Sequence, residues 1–427
     1  MAHSARECHS ALRRTLIIHR HGDRTTITKL AAAQHAAWRA RLPSVDAAAA
    51  LRRRHPLSVV WPRGAATDSW LNRHSGGENS VSGQLTALGV SQLAGLGRSL
   101  ARADGGLLAS PRAISVHSTG RLRTVQSTSS LLDGLLDGVE VGVCVDASLA
   151  AAMVPDDPAA MSQRQHDLRD AYFAGDAQRS AEEAAAPLRT ALERALDASG
   201  VLDVPARETS WEGLFEVAHC YAAHGDLGVA LPIETSEAHE LASLAGAHVA
   251  QRWFGLYSSG LEYSQLSIGR FLRHLGAVLQ FGGGGGSGGD PVKGRLGGNA
   301  ASTMMQPLHH HDNDAAPELH IFSAHDSTLT AVLCALGVEP VGEANKGPFG
   351  GFAAIPPYAS YLRLDVLQVE GGAGTEVRVR FNDEEVAILG ETLRPSLDEV
   401  MDRIAERGSA DDVPPPAARG GAAQSFT

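Results

Sequence analysis

The stretch that decides the fold is residues 15–24, which reads TLIIHRHGDR. Its first four residues are apolar or β-branched and predict a short buried strand, which ends at a polar cluster. Two more predicted strands show the same arrangement: residues 113–117 lead into HSTGRLRT, and residues 319–323 lead into SAHDST. Ligands of α/β sheets bind beyond the carboxyl ends of the strands. We therefore expect the three polar clusters to meet at one edge of a sheet.

Helical patterns alternate with these strands at both ends of the chain. Leucines at 88, 93, 96 and 100 recur at helical spacing behind a plausible N-cap, Thr86. Helices are predicted at 30–54 (interrupted at Pro43), 86–103, 121–136, 182–199, 210–223, 235–257, 262–280, 327–336 and 396–407, and further strands at 361–369 and 377–381. This pattern predicts an α/β core with an inserted, mainly helical cap.

Composition sets the expected boundaries within one α/β domain over residues 14–427. The run GGGGGSGG at 282–289 indicates a flexible linker, because it is followed by neither a GK[ST] sequence nor a strand and helix. We predict a core from 14–26, 84–143 and 318–407, cap insertions at 27–83 and 144–280, a Gly/His-rich linker at 281–316 and a disordered tail at 408–427.

Charge and hydropathy exclude several classes of protein. The 427 residues carry a formal net charge of −11, which argues against a broadly basic nucleic-acid surface but leaves room for a local basic pocket. No apolar run is long enough for a membrane span. No secretory leader is visible, so we expect an intracellular, cytoplasmic protein, with the mitochondrion as the alternative. Four scattered cysteines without a CxxC pair predict reduced thiols. The oligomeric state is left open.

The three clusters together offer the parts of phosphoryl transfer. Arg20 and Arg24 flank His21, and arginine presents a planar fork of donors that matches phosphate oxygens. A neutral imidazole can attack phosphorus. The second cluster adds Arg123 at a helix start, where backbone N–H groups favour an anion. The third adds His325 and Asp326, and a carboxyl beside the leaving oxygen can donate a proton. This chemistry demands no cofactor and no metal.

Other polar groups have simpler interpretations. His309, His310 and His311, with Asp312 and Asp314, lie in the polar linker, so we predict no metal site there. Asp23 is expected to support the loop or lie at the surface without acting as a catalytic acid. Four aromatic side chains of the cap could touch a substrate, but packing within a helix is the favoured interpretation: Trp211, Phe215, His219 and His224.

The sequence resembles the histidine acid phosphatases, branch 2 of the histidine phosphatase superfamily. RHGDRTT at 20–26 resembles the family's RHGxRxP signature, and SAHDST resembles its second signature. GQLTALG at 83–89, Ser118-Thr119 with Arg123-Thr124, LSIGRFL at 266–272 and PPYAS at 356–360 resemble further family segments. The likeness covers 15–136 and 318–405 and is loose between them. It implies a phosphoglycerate-mutase-like fold, with a mixed central sheet flanked by helices and an inserted helical cap.

The resemblance also implies a role for each matching residue. His21 would become phosphorylated, and Asp326 would protonate the leaving alcohol. The phosphate oxygens would be bound by Arg20, Arg24, Arg123 and His325. Two positions depart from the family pattern. Thr26 replaces the usual proline, which predicts a less rigid loop, and His117 replaces an arginine found in many relatives, which puts substrate affinity in doubt.

These observations predict a metal-independent acid phosphatase for small phosphate monoesters. Without a visible leader or many cysteines, the chain is unlike secreted relatives, so lysophosphatidic acid is the favoured substrate. An inositol-polyphosphate phosphatase is the alternative; it would need extra cations, and residues 144–280 contain no lysine. A catalytically inactive member that binds phosphorylated ligands and a mutase-like phosphotransferase are further alternatives.

Overall fold

The structure is a computed structural model that describes residues 10–60, 81–158, 160–224, 235–281, 306–307, 317–338, 355–369, 374–390 and 392–408. The predicted linker and tail, including the histidines at 309–311, lie almost entirely outside these ranges.

A mixed sheet forms the centre of the described chain. Its strands are β1 (Ser10–Arg20), β2 (Leu57–Val60), β3 (Ala113–Ser118), β4 (Val143–Asp146), β5 (Gln306–Pro307), β6 (Glu318–Ala324), β7 (Tyr361–Val369), β8 (Thr375–Phe381) and β9 (Glu384–Glu385). The order is β2-β4-β3-β6-β1-β7-β8-β9, and β5 pairs with β3. Strands β2, β4, β3, β6 and β1 run parallel to their neighbours in this order, whereas β7, β8 and β9 are antiparallel. The four central parallel strands β4, β3, β6 and β1 therefore end at the same edge.

Alternating side chains of β1 enter two different cores. Leu16 and Ile18 belong to a large apolar cluster that includes Phe271 and Leu329. Ile17, between them, packs in a second cluster with Leu93 and other apolar side chains. All three β1 residues are fully buried, as expected for a central strand whose successive side chains point to opposite faces.

Helices cover both faces of the sheet. They are α1 (His35–Arg39), α2 (Val45–Arg54), α3 (Ala87–Arg102), α4 (Leu122–Leu135), α5 (Ala147–Ala152), α6 (Gln163–Phe173), α7 (Asp176–Ser199), α8 (Trp211–Ala223), α9 (Thr235–Ser258), α10 (Leu261–Phe281), α11 (Asp326–Leu336) and α12 (Leu397–Gly408). Helices α3 and α4 pack on the Ile17 face, and α9, α10 and α11 contribute to the cluster on the Leu16 face. Helix α8 extends a third cluster that contains Trp38 and Leu214.

The predicted α/β architecture is confirmed, with local corrections. Strand β1 begins earlier and ends later than residues 15–18. The helical pattern over 30–54 is interrupted around Pro43, as predicted, and the helices on either side are α1 and α2; the first begins only at His35, and Ser44 starts the second by accepting a hydrogen bond from the Ala47 N–H. Strand β2 and most of β4 lie in ranges assigned to the cap but belong to the sheet. Both are only four residues long, which leaves too little alternation for recognition. Helix α6, with few apolar residues, was also not predicted.

Two sequence expectations have a structural counterpart. No helix in the described ranges is long and apolar enough to cross a membrane. The three cysteines in these ranges, Cys144, Cys220 and Cys334, are free thiols.

Candidate active site

The three polar clusters meet at the carboxyl edge of the parallel strands. Arg20 at the end of β1 is aligned with Ala324 at the end of β6. The backbone N–H of His21 donates to the Ala324 carbonyl at 3.2 Å. The Thr119 N–H donates to the Ser323 carbonyl oxygen at 3.0 Å. These bonds hold the loops after β1, β3 and β6 against one another, as the parallel order requires.

A cavity of about 380 Å³ opens at this edge, beneath the cap. Its volume lies within the usual range of small-molecule sites. All six residues singled out from the sequence line it: Arg20, His21, Arg24, Arg123, His325 and Asp326.

The orientation of His21 is set by its own loop. Its Nδ1 lies 2.8 Å from the Gly22 carbonyl oxygen, so Nδ1 carries the proton and donates it. Nε2 is then the atom with a free lone pair. Burial, followed by the charges of Arg123, Arg20 and Arg24, lowers the pKa of His21 well below its ordinary value. The imidazole is therefore neutral at physiological pH.

Close backbone packing fixes this loop from behind. A Cβ atom on Gly22 would lie 2.5 Å from the Gly89 carbonyl oxygen, and one on Gly89 would lie 2.2 Å from the Asp23 carbonyl oxygen. Neither contact leaves room for a side chain. The Gly22 N–H also donates to Ser127 Oγ at 3.1 Å on α4. Gly22 and Gly89 therefore allow α3 to pack directly against the loop that carries His21.

The arginines present a concentrated positive charge. Arg20 lies over the Tyr358 ring, 4.2 Å from its centroid, and Nη1 donates to the Pro356 carbonyl at 2.5 Å. Burial and the nearby Arg24 and Arg121 lower the pKa of Arg123 to about 9. In the cavity, the buried Nε atoms of Arg20, Arg24 and Arg123 have no hydrogen-bond partner within the described chain. Buried, unpaired donors of this kind suit an anionic ligand.

His325 and Asp326 lie at the N-terminus of α11. His325 Nε2 is 3.0 Å from Thr119 Oγ1, which joins the second and third clusters. Burial and the arginines lower the pKa of His325 well below its ordinary value. Asp326 Oδ2 lies 2.6 Å from Arg20 Nη2, and Oδ1 accepts from the Ser327 N–H at 2.9 Å. Asp326 therefore borders the cavity in contact with one of its cations.

Glu216 on α8 is a central cavity residue that was not identified from the sequence. Its carboxylate accepts from the Arg24 guanidinium, from the Ile27 N–H at 2.6 Å, and from Thr28 through both N–H and Oγ1. Burial opposes its ionisation, but Arg24 and the bonds from Thr28 and Ile27 lower the pKa of Glu216 overall. One carboxylate thus ties the cap to the loop after β1. Nothing in its local sequence distinguishes it from other helical glutamates.

The aromatic cap residues divide into two pairs. Phe215 and His219 line the cavity. Burial and Arg20 lower the pKa of His219 to about 4. Trp211 instead donates to Glu182 Oε2 at 2.6 Å, and His224 lies 2.7 Å from Asp23 Oδ2. The packing interpretation fits the second pair, whereas the first pair faces the site.

The two departures from the family pattern, Thr26 and His117, both lie outside the cavity lining. Thr26 is buried and donates to the Thr28 carbonyl at 3.0 Å, which gives the loop a local hydrogen bond. His117 does not line the cavity; it is stacked on Phe322, with ring centroids 5.5 Å apart. Both of its ring nitrogens are buried without a partner in the described chain. Burial, then His274 and His320, lowers the pKa of His117 to about 4.

The outer wall of the cavity combines charged and apolar groups. Arg121 Nη2 lies 3.7 Å from Asp157 Oδ2, and both residues line the cavity. Asp156 lies beside them and accepts from Ser327 Oγ at 2.7 Å. The apolar part of the wall consists of Val154, Phe215, Val249, Trp253 and Ile355. The wall therefore offers one cation beyond the arginines nearest His21, together with several carboxylates.

Comparisons with known proteins agree with this arrangement. The family model described as the histidine phosphatase superfamily (branch 2) matches residues 11–199, somewhat less than half of the chain. That range contains the first two polar clusters and β1 to β4. Comparison with curated proteins gives no match.

Several solved structures share the fold. The phytase from Citrobacter braakii is 15% identical, with a TM-score of 0.57 over 93% of this chain and 98% of the phytase. The Hafnia alvei phytase is 14% identical, with a TM-score of 0.54 and coverage of 95% and 98%. The Bifidobacterium longum multiple inositol polyphosphate phosphatase is 12% identical, with a TM-score of 0.50 and coverage of 96% and 94%. At these identities the similarity establishes the fold.

Residues 11–199 are therefore similar to the histidine phosphatase superfamily (branch 2), and the chain shares the fold of the phytases named above.

Proposed function

We propose that the chain hydrolyses phosphate monoesters through a covalent phosphohistidine on His21. The observation that carries this proposal is the neutral imidazole of His21, whose Nδ1 is bound to the Gly22 carbonyl and whose Nε2 is free. Nε2 attacks phosphorus, the P–O ester bond breaks, and the alcohol leaves. Water then attacks the phosphohistidine, releases inorganic phosphate and restores the imidazole.

Four side chains bind the phosphate in this proposal: Arg20, Arg24, Arg123 and His325. The unpaired Nε atoms of the three arginines and their common cavity support this assignment. Guanidinium groups offset the negative charge that approaches a neutral nucleophile, and they favour the transition state because they are already in place. His325, held by Thr119, contributes a neutral donor.

Asp326 is the proposed proton donor for the leaving oxygen. It borders the cavity, contacts Arg20 and begins α11, so it lies beside the phosphate group that the arginines would hold. In the first step its proton passes to the alcohol oxygen. In the second step the attacking water returns a proton to the carboxylate.

Inositol phosphates are the substrate class that we propose. The support comes from the solved structures of the same fold, which are phytases and an inositol polyphosphate phosphatase. Arg121 on the outer wall offers a cation for a second phosphate. The earlier preference for lysophosphatidic acid has weaker support: an apolar part of the wall suits an acyl chain, but none of these relatives is a lysophosphatidic acid phosphatase.

A substrate panel tests this proposal. Phosphate release would be measured from inositol hexakisphosphate, inositol monophosphate, lysophosphatidic acid and p-nitrophenyl phosphate, with vanadate as the inhibitor. We expect release from all activated esters and the highest kcat/KM for an inositol phosphate. Highest activity on lysophosphatidic acid would contradict the substrate class. Binding without release would indicate an inactive phospho-ligand-binding member, and phosphate transfer between two esters would indicate a mutase-like transferase.

A further inference from the structure

The cavity contains a second carboxyl group beside the proposed proton donor. Asp156 follows α5, and its Oδ1 accepts from Ser327 Oγ at 2.7 Å. The Ser327 N–H donates to Asp326 Oδ1 at 2.9 Å. One serine therefore binds both carboxyl groups, one through its hydroxyl and the other through its backbone, and both line the cavity with His21.

The two carboxyl groups have different partners. Asp326 contacts Arg20 and begins α11. Asp156 forms no ion pair among the described residues, although Arg121 lies near enough to interact with it. A proton donor in this cavity must nevertheless hold a proton when the substrate arrives.

We propose that Asp156 and Asp326 act as a paired acid that holds one proton for the leaving group, with Asp156 as the positioning residue for that proton. Two neighbouring carboxyl groups resist simultaneous ionisation, so the pair holds one proton between them. This inference rests on the proposed function. In the first step the pair gives its proton to the leaving oxygen as Nε2 of His21 bonds to phosphorus. In the second step the pair regains a proton from the attacking water.

The properties of Asp156 fit this role. Desolvation beneath the cap, the Asp326 carboxylate and the Asp157 carboxylate raise the pKa of Asp156 to about 6. Asp156 is nevertheless solvent-exposed, so water moderates this shift and can return a proton. The other charged or titratable groups that face the pair are Arg20, Arg121, Arg123, Asp157, His219, Tyr257 and Tyr263.

The pH dependence of an Asp156→Asn variant tests the inference. Asparagine keeps an oxygen that accepts from Ser327 and removes the second titrating carboxyl. With glycerol 2-phosphate, a substrate with a poor leaving group, we expect the basic limb of kcat/KM to move to lower pH by about one unit. With p-nitrophenyl phosphate, which leaves without a proton, the loss should be no more than about twofold. Asp167→Asn is the charge-matched control, because Asp167 is exposed on α6 and does not line the cavity.

A binding measurement provides a readout independent of turnover. Calorimetric titration with sulfate in two buffers of different ionisation enthalpy counts the protons that are taken up. We expect greater uptake by Asp156→Asn than by the wild type near pH 6, because the proton that the intact pair holds in advance must then be taken up when the dianion binds. If the asparagine variant is poorly folded by circular dichroism, Asp156→Ser removes the same charge and is measured in its place.

The outcomes separate the inference from the proposed function. Identical pH profiles and identical proton uptake for the wild type and Asp156→Asn would overturn the paired acid while leaving the phosphohistidine mechanism in place. An equal loss on both substrates at every pH would also overturn it, because that pattern indicates a structural role. A wild-type protein that hydrolyses no phosphate ester would overturn both.

Discussion

Arg20 Nη2 lies 2.6 Å from Asp326 Oδ2, although the two residues come from opposite ends of the chain. The contact exists because β1 and β6 are parallel neighbours, so the residues that follow them share one edge of the sheet. It places the residue before the proposed nucleophile against the proposed proton donor. A phosphate group bound by Arg20 would therefore have an acid at its side.

Asp326→Asn should slow the hydrolysis of esters with poor leaving groups. A general acid typically contributes 10²- to 10⁴-fold, so we expect kcat on glycerol 2-phosphate to fall by roughly that factor. The loss on p-nitrophenyl phosphate should be at least about tenfold smaller, because its leaving group needs no proton. The check is kcat for both substrates at one pH. Equal losses on the two substrates would count against the acid role.

Glu216→Gln should make the protein less stable and more responsive to phosphate. The amide cannot balance the charge of Arg24, which is then buried without a counterion until phosphate binds. We expect the free energy of unfolding to fall by roughly 2 kcal/mol without ligand. Phosphate should restore more stability than it adds to the wild type. Thermal melts with and without phosphate measure both effects.

Glu212→Gln is the matched control for that change. Glu212 also lines the cavity, but its Oε1 lies 3.4 Å from Arg252 Nε and its partner is therefore not Arg24. Phosphate should stabilise the Glu212→Gln variant as much as it stabilises the wild type. An unchanged phosphate response in Glu216→Gln would show that Arg24 does not depend on Glu216 for its charge balance.

Acid should destabilise the fold through His117. The folded-state pKa of His117 is about 4, below the unfolded value of 6.5, so the unfolded chain binds more protons between these two values. The stability due to neutral His117 is present in full above about pH 6.5 and is lost as the pH falls towards 4. The loss amounts to at most about 3 kcal/mol. His117→Phe keeps an aromatic ring and removes this dependence.

Urea unfolding at pH 7.5 and pH 4 measures the effect. The difference in unfolding free energy between the two pH values should be roughly 2 kcal/mol smaller for His117→Phe than for the wild type. His35→Phe, at an exposed position on α1, is the control and should behave like the wild type. The same acid sensitivity in wild type and His117→Phe would rule out this contribution. An activity optimum at strongly acidic pH would require other groups that stabilise the fold there and compensate for His117.

Arg121→Ala should discriminate between substrates with one phosphate and several. Loss of a hydrogen bond between charged groups costs about 1.5–3 kcal/mol, so kcat/KM for inositol hexakisphosphate should fall at least about tenfold. The loss for p-nitrophenyl phosphate should be about twofold or less. Arg207→Ala, with a side chain 75% exposed, is the control. If both substrates lose equally, Arg121 supports the loop and does not select the substrate.

The sequence predicts the arrangement near the nucleophile better than the cap. His21, Asp326 and the proposed phosphate-binding residues follow apolar strands, and parallel pairing brings the ends of such strands together. Glu216 could not be found in this way, because its partners come from the loop after β1 and the contact depends on how α8 packs. Asp156 could not be found in this way either, because its hydrogen-bond partner Ser327 lies on α11, far away along the chain. Contacts between cap and core depend on tertiary packing, which local patterns do not encode.

The most direct test of the account is to trap the covalent intermediate. Wild-type protein would be mixed with ³²P-labelled ester, quenched rapidly and digested, and the labelled peptide sequenced. The account predicts an acid-labile, base-stable phosphohistidine at His21, and neither label nor hydrolysis in His21→Ala. A His21→Ala protein that retains full activity, or a stable label on any other residue, would contradict it.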